Sequence, residues 1–117
     1  MELIALLSSG KGSWGQVAGL INQGQWEKIV LLGAEFAKKF HTDKKEEFIL
    51  VDLNKRIIDL KKEMVEKLKN KIKGPEVALS IASGTGKEHM ALISALLALP
   101  VGIKFVVLTK EGIIELH

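Results

Sequence analysis

No cysteine occurs among the 117 residues. Disulfides and thiolate metal sites are therefore excluded. No apolar run approaches the roughly 18 residues of a membrane span, so no membrane association is expected. The opening stretch MELIALLSSGKG lacks a basic flank and a cleavage site, and its apolar run is too short for a secretory signal. A cytoplasmic location is the expectation. Charge of one sign is also scarce: 17 Lys and Arg stand against 14 Asp and Glu, a net +3. That excess is spread among Glu-rich stretches. It permits an anionic ligand without arguing for nucleic acid, and direct DNA binding is not expected. There is no internal repeat and no low-complexity segment. No spacing of His, Asp and Glu suggests a metal, and no Ser–His–Asp triad is evident, so neither metal nor cofactor is expected. His41 and His117 have no sequence partners.

What is present is globular: 47% hydrophobic and 26% charged residues. The length suits a single domain spanning residues 1–117. Glu2–Leu7, Lys28–Leu32, Phe48–Leu53, Val77–Ala82 and Ile103–Leu108 are continuous apolar runs. Runs of this length, rich in Ile and Val, predict strands buried on both faces, hence parallel. Ile113–Leu116 follows a tight turn at Thr109–Gly112 and must return antiparallel.

Helix signals separate the runs. Ser13–Asn22 is a short helix closed by Gly24, and Glu35–Lys45 is a weaker one. Asn54 is placed to cap a long helix through Lys73, with an apolar stripe at Ile57, Leu60, Met64, Leu68 and Ile72. The Lys residues opposite that stripe read as a solvated face. Lys87–Leu99 is apolar nearly all round. One side must face the sheet, and a second copy of the chain is the expected cover for the other. The pattern predicts an α/β fold: a doubly wound, Rossmann-like three-layer sandwich, mostly parallel, with an antiparallel C-terminal hairpin strand.

Two glycine-rich loops carry the chemistry. The first, Ser8-Ser9-Gly10-Lys11-Gly12-Ser13-Trp14, leaves the first strand and enters the first helix. Its glycines allow close backbone approach to an anion, its serines add donors and Lys11 adds charge. Trp14 is either a stacking surface for a base or a packing residue. The second loop, Ser83-Gly84-Thr85-Gly86-Lys87-Glu88-His89, follows the fourth strand. Lys87 in the first turn of a helix opposes the helix dipole, and an anion ahead of the helix would offset it. His89 is placed to touch a ligand there. The bland alternative is a tight turn with Lys87 in solvent. In doubly wound orders the first and fourth strands are neighbours, and both loops then open onto one crevice.

Several motif readings compete. Gly10, Gly12 and Gly15 spell a dinucleotide fingerprint, and Glu35 lies where a ribose would be held. However, the chain has no second half of that fold. Ser9–Ser13 is similar to the loop of PP-loop ATP pyrophosphatases, with Gly12 in place of their aspartate. The second loop is not a Walker A motif, since Ile81 and Glu88 stand where glycine and Ser or Thr are needed.

The last third, from Val77 through Ser83-Gly84-Thr85-Gly86-Lys87 to Met90 and Leu92, resembles the CRISPR-associated Rossmann fold (CARF) family. That family carries a T-G-G-T-[KR]-x-M-like loop here. The Gly and Thr are exchanged in this chain, and Met90 falls one residue late. The resemblance implies a homodimer that binds cyclic oligoadenylate across its two-fold axis in CRISPR antiviral signalling. Lys87, Ser83 and Thr85 would lie at the phosphate, and Ser8 and Ser9 would line the first loop. Some such domains cut their ligand without a metal, which would give Lys87 and Ser9 catalytic roles. The alternatives are a small nucleotide-binding or ATP-pyrophosphatase-like subunit of a larger enzyme, and a structural dimerisation module built on the Lys87–Leu99 helix.

Overall fold

The computed structural model describes residues 1–9 and 13–116. Six strands form one sheet: β1 (Glu2–Leu7), β2 (Lys28–Gly33), β3 (Glu47–Leu50), β4 (Glu76–Ser80), β5 (Gly102–Thr109) and β6 (Gly112–Leu116). Their order is β3-β2-β1-β4-β5-β6. The first five are parallel, and β6 is antiparallel to β5. Three α-helices connect them: α1 (Trp14–Gln23), α2 (Ile57–Leu68) and α3 (Gly86–Ala98).

The apolar runs form strands because both faces are covered. Successive side chains of β1 point to opposite sides. Leu3, Ala5 and Leu7 pack with Val17, Leu20 and Ile21 of α1. Ile4 and Leu6 pack with Leu60 and Met64 of α2 and with Ala91, Leu92 and Ala95 of α3. A strand walled in on both sides has no position left for a polar alternation. Each buried Leu or Ile contributes about 1.5–3 kcal/mol of transfer free energy.

Several boundaries differ from the sequence expectation. The third strand ends at Leu50 rather than Leu53. Val51 and Leu53 remain buried; the Val51 amide still donates to the Gly33 carbonyl of β2 at 2.9 Å, and Leu53 packs into the core beyond the ladder. The expected helix at Glu35–Lys45 is only a 3₁₀ helix, Glu35–Lys39. Asn54 does not cap α2. Its amide donates to Asp52 Oδ1 at 3.0 Å, closing an Asx turn, and Arg56 occupies the cap without a side-chain bond. The helix also stops at Leu68, short of Lys73. The buried Glu2 carboxylate, 71 residues away, accepts the Lys73 amide at 3.0 and 3.1 Å and the Gly74 amide at 3.0 Å.

The two-sided burial of α3 also has a nearer cause than a second chain, because α2 packs along its flank. What remains open is narrower: Met90 and Leu97 are 60% and 62% exposed. They lie seven residues apart, on one face of the helix.

Candidate functional site

The strand order reverses between β1 and β4, and both glycine loops leave the sheet there. They are physically joined. The Ser8 amide donates to Ser83 Oγ at 2.8 Å, and both serines are buried. Gly10, Lys11 and Gly12 of the first loop, like His117, lie outside the described residues.

The second loop is built around Gly84, whose φ of +122° is a conformation that side-chain-bearing residues rarely adopt. A Cβ there would also lie 2.5 Å from Leu6 Cδ2 and 2.8 Å from His89 Nε2. The bend brings His89 Nε2 to 2.9 Å from the Ser83 carbonyl, so the histidine braces the loop from within. Thr85 then caps α3 in a reciprocal arrangement. Its Oγ1 accepts the Glu88 amide at 3.3 Å, and Glu88 Oε1 accepts the Thr85 amide at 2.9 Å. The spacing Thr85-x-x-Glu88 is the sequence signature of this capping box, a signal distinct from the glycine pattern of the loop. Its consequence is electrostatic. The negative charge that offsets the α3 dipole is the buried Glu88 carboxylate, so no external anion is required for that purpose. The Gly86 and Lys87 amides are left at the open end of the helix.

Lys87 is exposed, but its ammonium folds back onto the protein. Its Nζ donates to the Leu53 carbonyl at 2.8 Å and the Lys55 carbonyl at 2.9 Å, both in the β3–α2 loop. The same loop is held from α2. Glu63 accepts the Asp52 amide at 3.2 Å, and pairs with Lys55 at 3.2 Å and Lys67 at 2.7 Å. Lys67 also donates to the Leu50 carbonyl. Burial alone would raise the Glu63 carboxyl, but the bonds from Lys67, the Asp52 amide and Lys55 outweigh it and hold it below the usual carboxylate range.

This pinned loop walls a cavity of about 510 Å³ over the carboxyl ends of β1, β2 and β3. Ser8 and Ser9 lie on its β1 side, with Phe36 and Ala34 beside β2 and Leu50, Val51 and Leu53 opposite. Glu35, Asp52, Glu63 and Glu88 bring carboxylates to it, and among the described residues Lys67 is the one cation that lines it. Such a lining suits a neutral ring carrying hydrogen-bond donors better than a phosphate. Trp14 supports the cavity from behind. Its Nε1 donates to the Ser8 carbonyl at 2.9 Å. Its ring stacks on Phe36 (6.3 Å, 7°) and meets Phe40 edge-on (5.9 Å, 83°).

Of the expected site residues, the structure thus gathers Ser8, Ser9 and Ser83 at one junction and folds Gly84, Thr85, Gly86 and His89 into the start of α3. Ser13 enters α1 beside Trp14. The acidic and aromatic wall has no signature in the glycine loops, because its residues come from the segments after β2 and β3. Among the described residues, no group of three or more metal-ligating side chains occurs, and no helix is long and apolar enough to cross a membrane.

Among solved structures of similar fold is Enterococcus italicus Csm6 bound to cyclic hexa-2'-fluoro-hexa-dAMP. The match covers 93% of this chain at a TM-score of 0.56 and 12% identity. The fold is Rossmann-like and similar to that part of Csm6. The chain spans only 33% of the length of that Csm6 chain, and identity at this level carries the architecture alone. No family model and no curated protein matches the sequence. In this strand order the joined glycine loops fall at the switch point, the position where open α/β sheets hold their ligands.

Proposed function

We propose that this chain is a ligand-sensing domain for cyclic oligoadenylate or a related adenylate, working as a homodimer in CRISPR antiviral signalling. The observation that carries the reading is the Ser8–Ser83 junction. It fixes two small, hydroxyl-bearing loops side by side at the strand-order reversal, beside a cavity sized for a nucleoside. The likeness to Csm6 supports the ligand class, because that protein was solved bound to cyclic hexa-2'-fluoro-hexa-dAMP. On this reading a base and ribose enter the cavity over Ser8 and Ser9. The phosphates run across the loop starts toward the Gly86 and Lys87 amides, Lys87 itself and the first loop with Lys11. Catalytic roles for Ser9 and Lys87 in ring opening belong to the same proposal. The homodimer is supported by the Met90–Leu97 face of α3, an apolar stripe left open after α2 has packed.

Calorimetric titration with cyclic tetra- and hexa-adenylate at matched salt tests the reading, with native mass spectrometry for stoichiometry. One ring per two chains is expected. Absence of binding by both rings overturns it.

A further inference from the structure

Among the described residues, Lys87 is the side chain that ties the proposed phosphate site to the wall of the cavity. Its backbone belongs to the first turn of α3, and its ammonium is spent on two carbonyls of the β3–α2 loop. Those carbonyls, Leu53 and Lys55, lie 34 and 32 positions away in sequence. The loop has a second set of anchors on α2, through Glu63 and Lys67, and these reach Asp52 and Leu50 at its start. Its later part, Leu53 to Lys55, is held by Lys87, by the Lys55–Glu63 pair and by the Asx turn on Asp52.

We propose that Lys87 is a latch with two positions. Without ligand it closes the β3–α2 loop by holding the Leu53 and Lys55 carbonyls. With a phosphate at the start of α3 it moves to the phosphate and releases that part of the loop. This inference rests on the functional reading above, because it needs an anionic ligand at that helix. The direction of the exchange follows from charge. A carbonyl offers a partial negative charge, whereas a phosphate oxygen offers a full share of an anion and forms the stronger, charge-assisted bond. The consequence is that occupancy at the loops is transmitted to the cavity wall, a surface the phosphate does not touch. Glu63 and Lys67 keep Leu50 and Asp52 fixed, and Glu63 keeps its flexible side-chain pair with Lys55, so the motion is a loosening of the backbone confined to residues 53–56.

Hydrogen exchange at the Asn54 and Lys55 amides reads the latch, since the first donates to Asp52 Oδ1 and the second to the Asp52 carbonyl, within the stretch that Lys87 holds. In the wild type, cyclic hexa- or tetra-adenylate is expected to speed exchange at these two amides by about tenfold. Lys87→Met is expected to show the fast rate without ligand, and to show no further change when ligand is added at a concentration that saturates it. Lys87→Gln serves the same purpose, and a thermal melt shows that each variant is folded. Ligand binding that leaves wild-type exchange unchanged, or slows it, overturns the latch while the functional reading stands. Slow exchange in folded, ligand-free Lys87→Met overturns it as well. No heat of binding with either ring overturns the functional reading, and the latch with it.

Discussion

Ser83 Oγ accepts the backbone amide of Ser8 at 2.8 Å in a buried setting, across 75 residues of sequence. This bond makes the starts of the two glycine loops one structure. Ser83→Ala leaves a buried amide without its partner, which costs about 1–3 kcal/mol. The melting temperature is expected to fall by several degrees, and adenylate affinity to fall more than stability alone would explain. Calorimetry and thermal denaturation of the same preparation check both.

Gly84 admits no side chain. At φ +122°, with Leu6 Cδ2 2.5 Å from where a Cβ would sit, Gly84→Ala is strained in backbone and in packing. A loss of about 2–4 kcal/mol is expected, measured by urea denaturation. Gly86→Ala is the control, because a Cβ there meets nothing within 4 Å.

The open stripe on α3 predicts association. Leu97→Glu places a charge on a residue already 62% exposed, so the fold is expected to survive while the dimer dissociates. Light scattering at micromolar concentration should give the mass of one chain for the variant and two for the wild type. A wild-type monomer would remove the proposed two-fold site.

Glu63 makes part of the stability depend on pH. Its carboxyl is held below its ordinary value of 4.5 in the folded chain. On acidification the unfolded state therefore takes up the proton first. The contribution is complete above 4.5 and is lost as the pH falls through the lower folded value. Wild type and Glu63→Gln are expected to differ by about 1–2 kcal/mol near neutrality, and the gap should close at acid pH. Paired urea midpoints across that range test the sign. The same variant loosens the Asp52 amide and with it the cavity wall.

The layers are legible in the sequence where burial is uniform. β1 can be read directly because every side chain of Leu3–Leu7 is fully buried. The end of β3 cannot. Val51 makes the last amide bond to β2, and Leu53 is as apolar as a strand residue yet packs beyond that bond; composition does not separate the two situations. The segments flanking α2 are held by carboxylates that local periodicity does not reveal: Asp52 takes the Asn54 amide, and Glu2 takes the amides of Lys73 and Gly74. At the site, the glycine loops announce their own shape. The Lys87 bond to the β3–α2 loop depends on tertiary placement and leaves no mark in the sequence, whereas the Thr85–Glu88 cap does leave one.

The central place of β1 bears on the order in which the sheet can be completed as the chain is made. One edge of β1 pairs with β2, which is synthesised soon after it, but the other pairs with β4 at Glu76–Ser80. Until that segment leaves the ribosome, the most apolar strand of the protein has a bare edge, and Glu2 lacks the amides it will bind. The first half of the chain is then one half of the sheet, with its future centre left as an open edge. It is expected to be held in a chaperone-dependent, aggregation-prone state until roughly two thirds of the sequence has emerged.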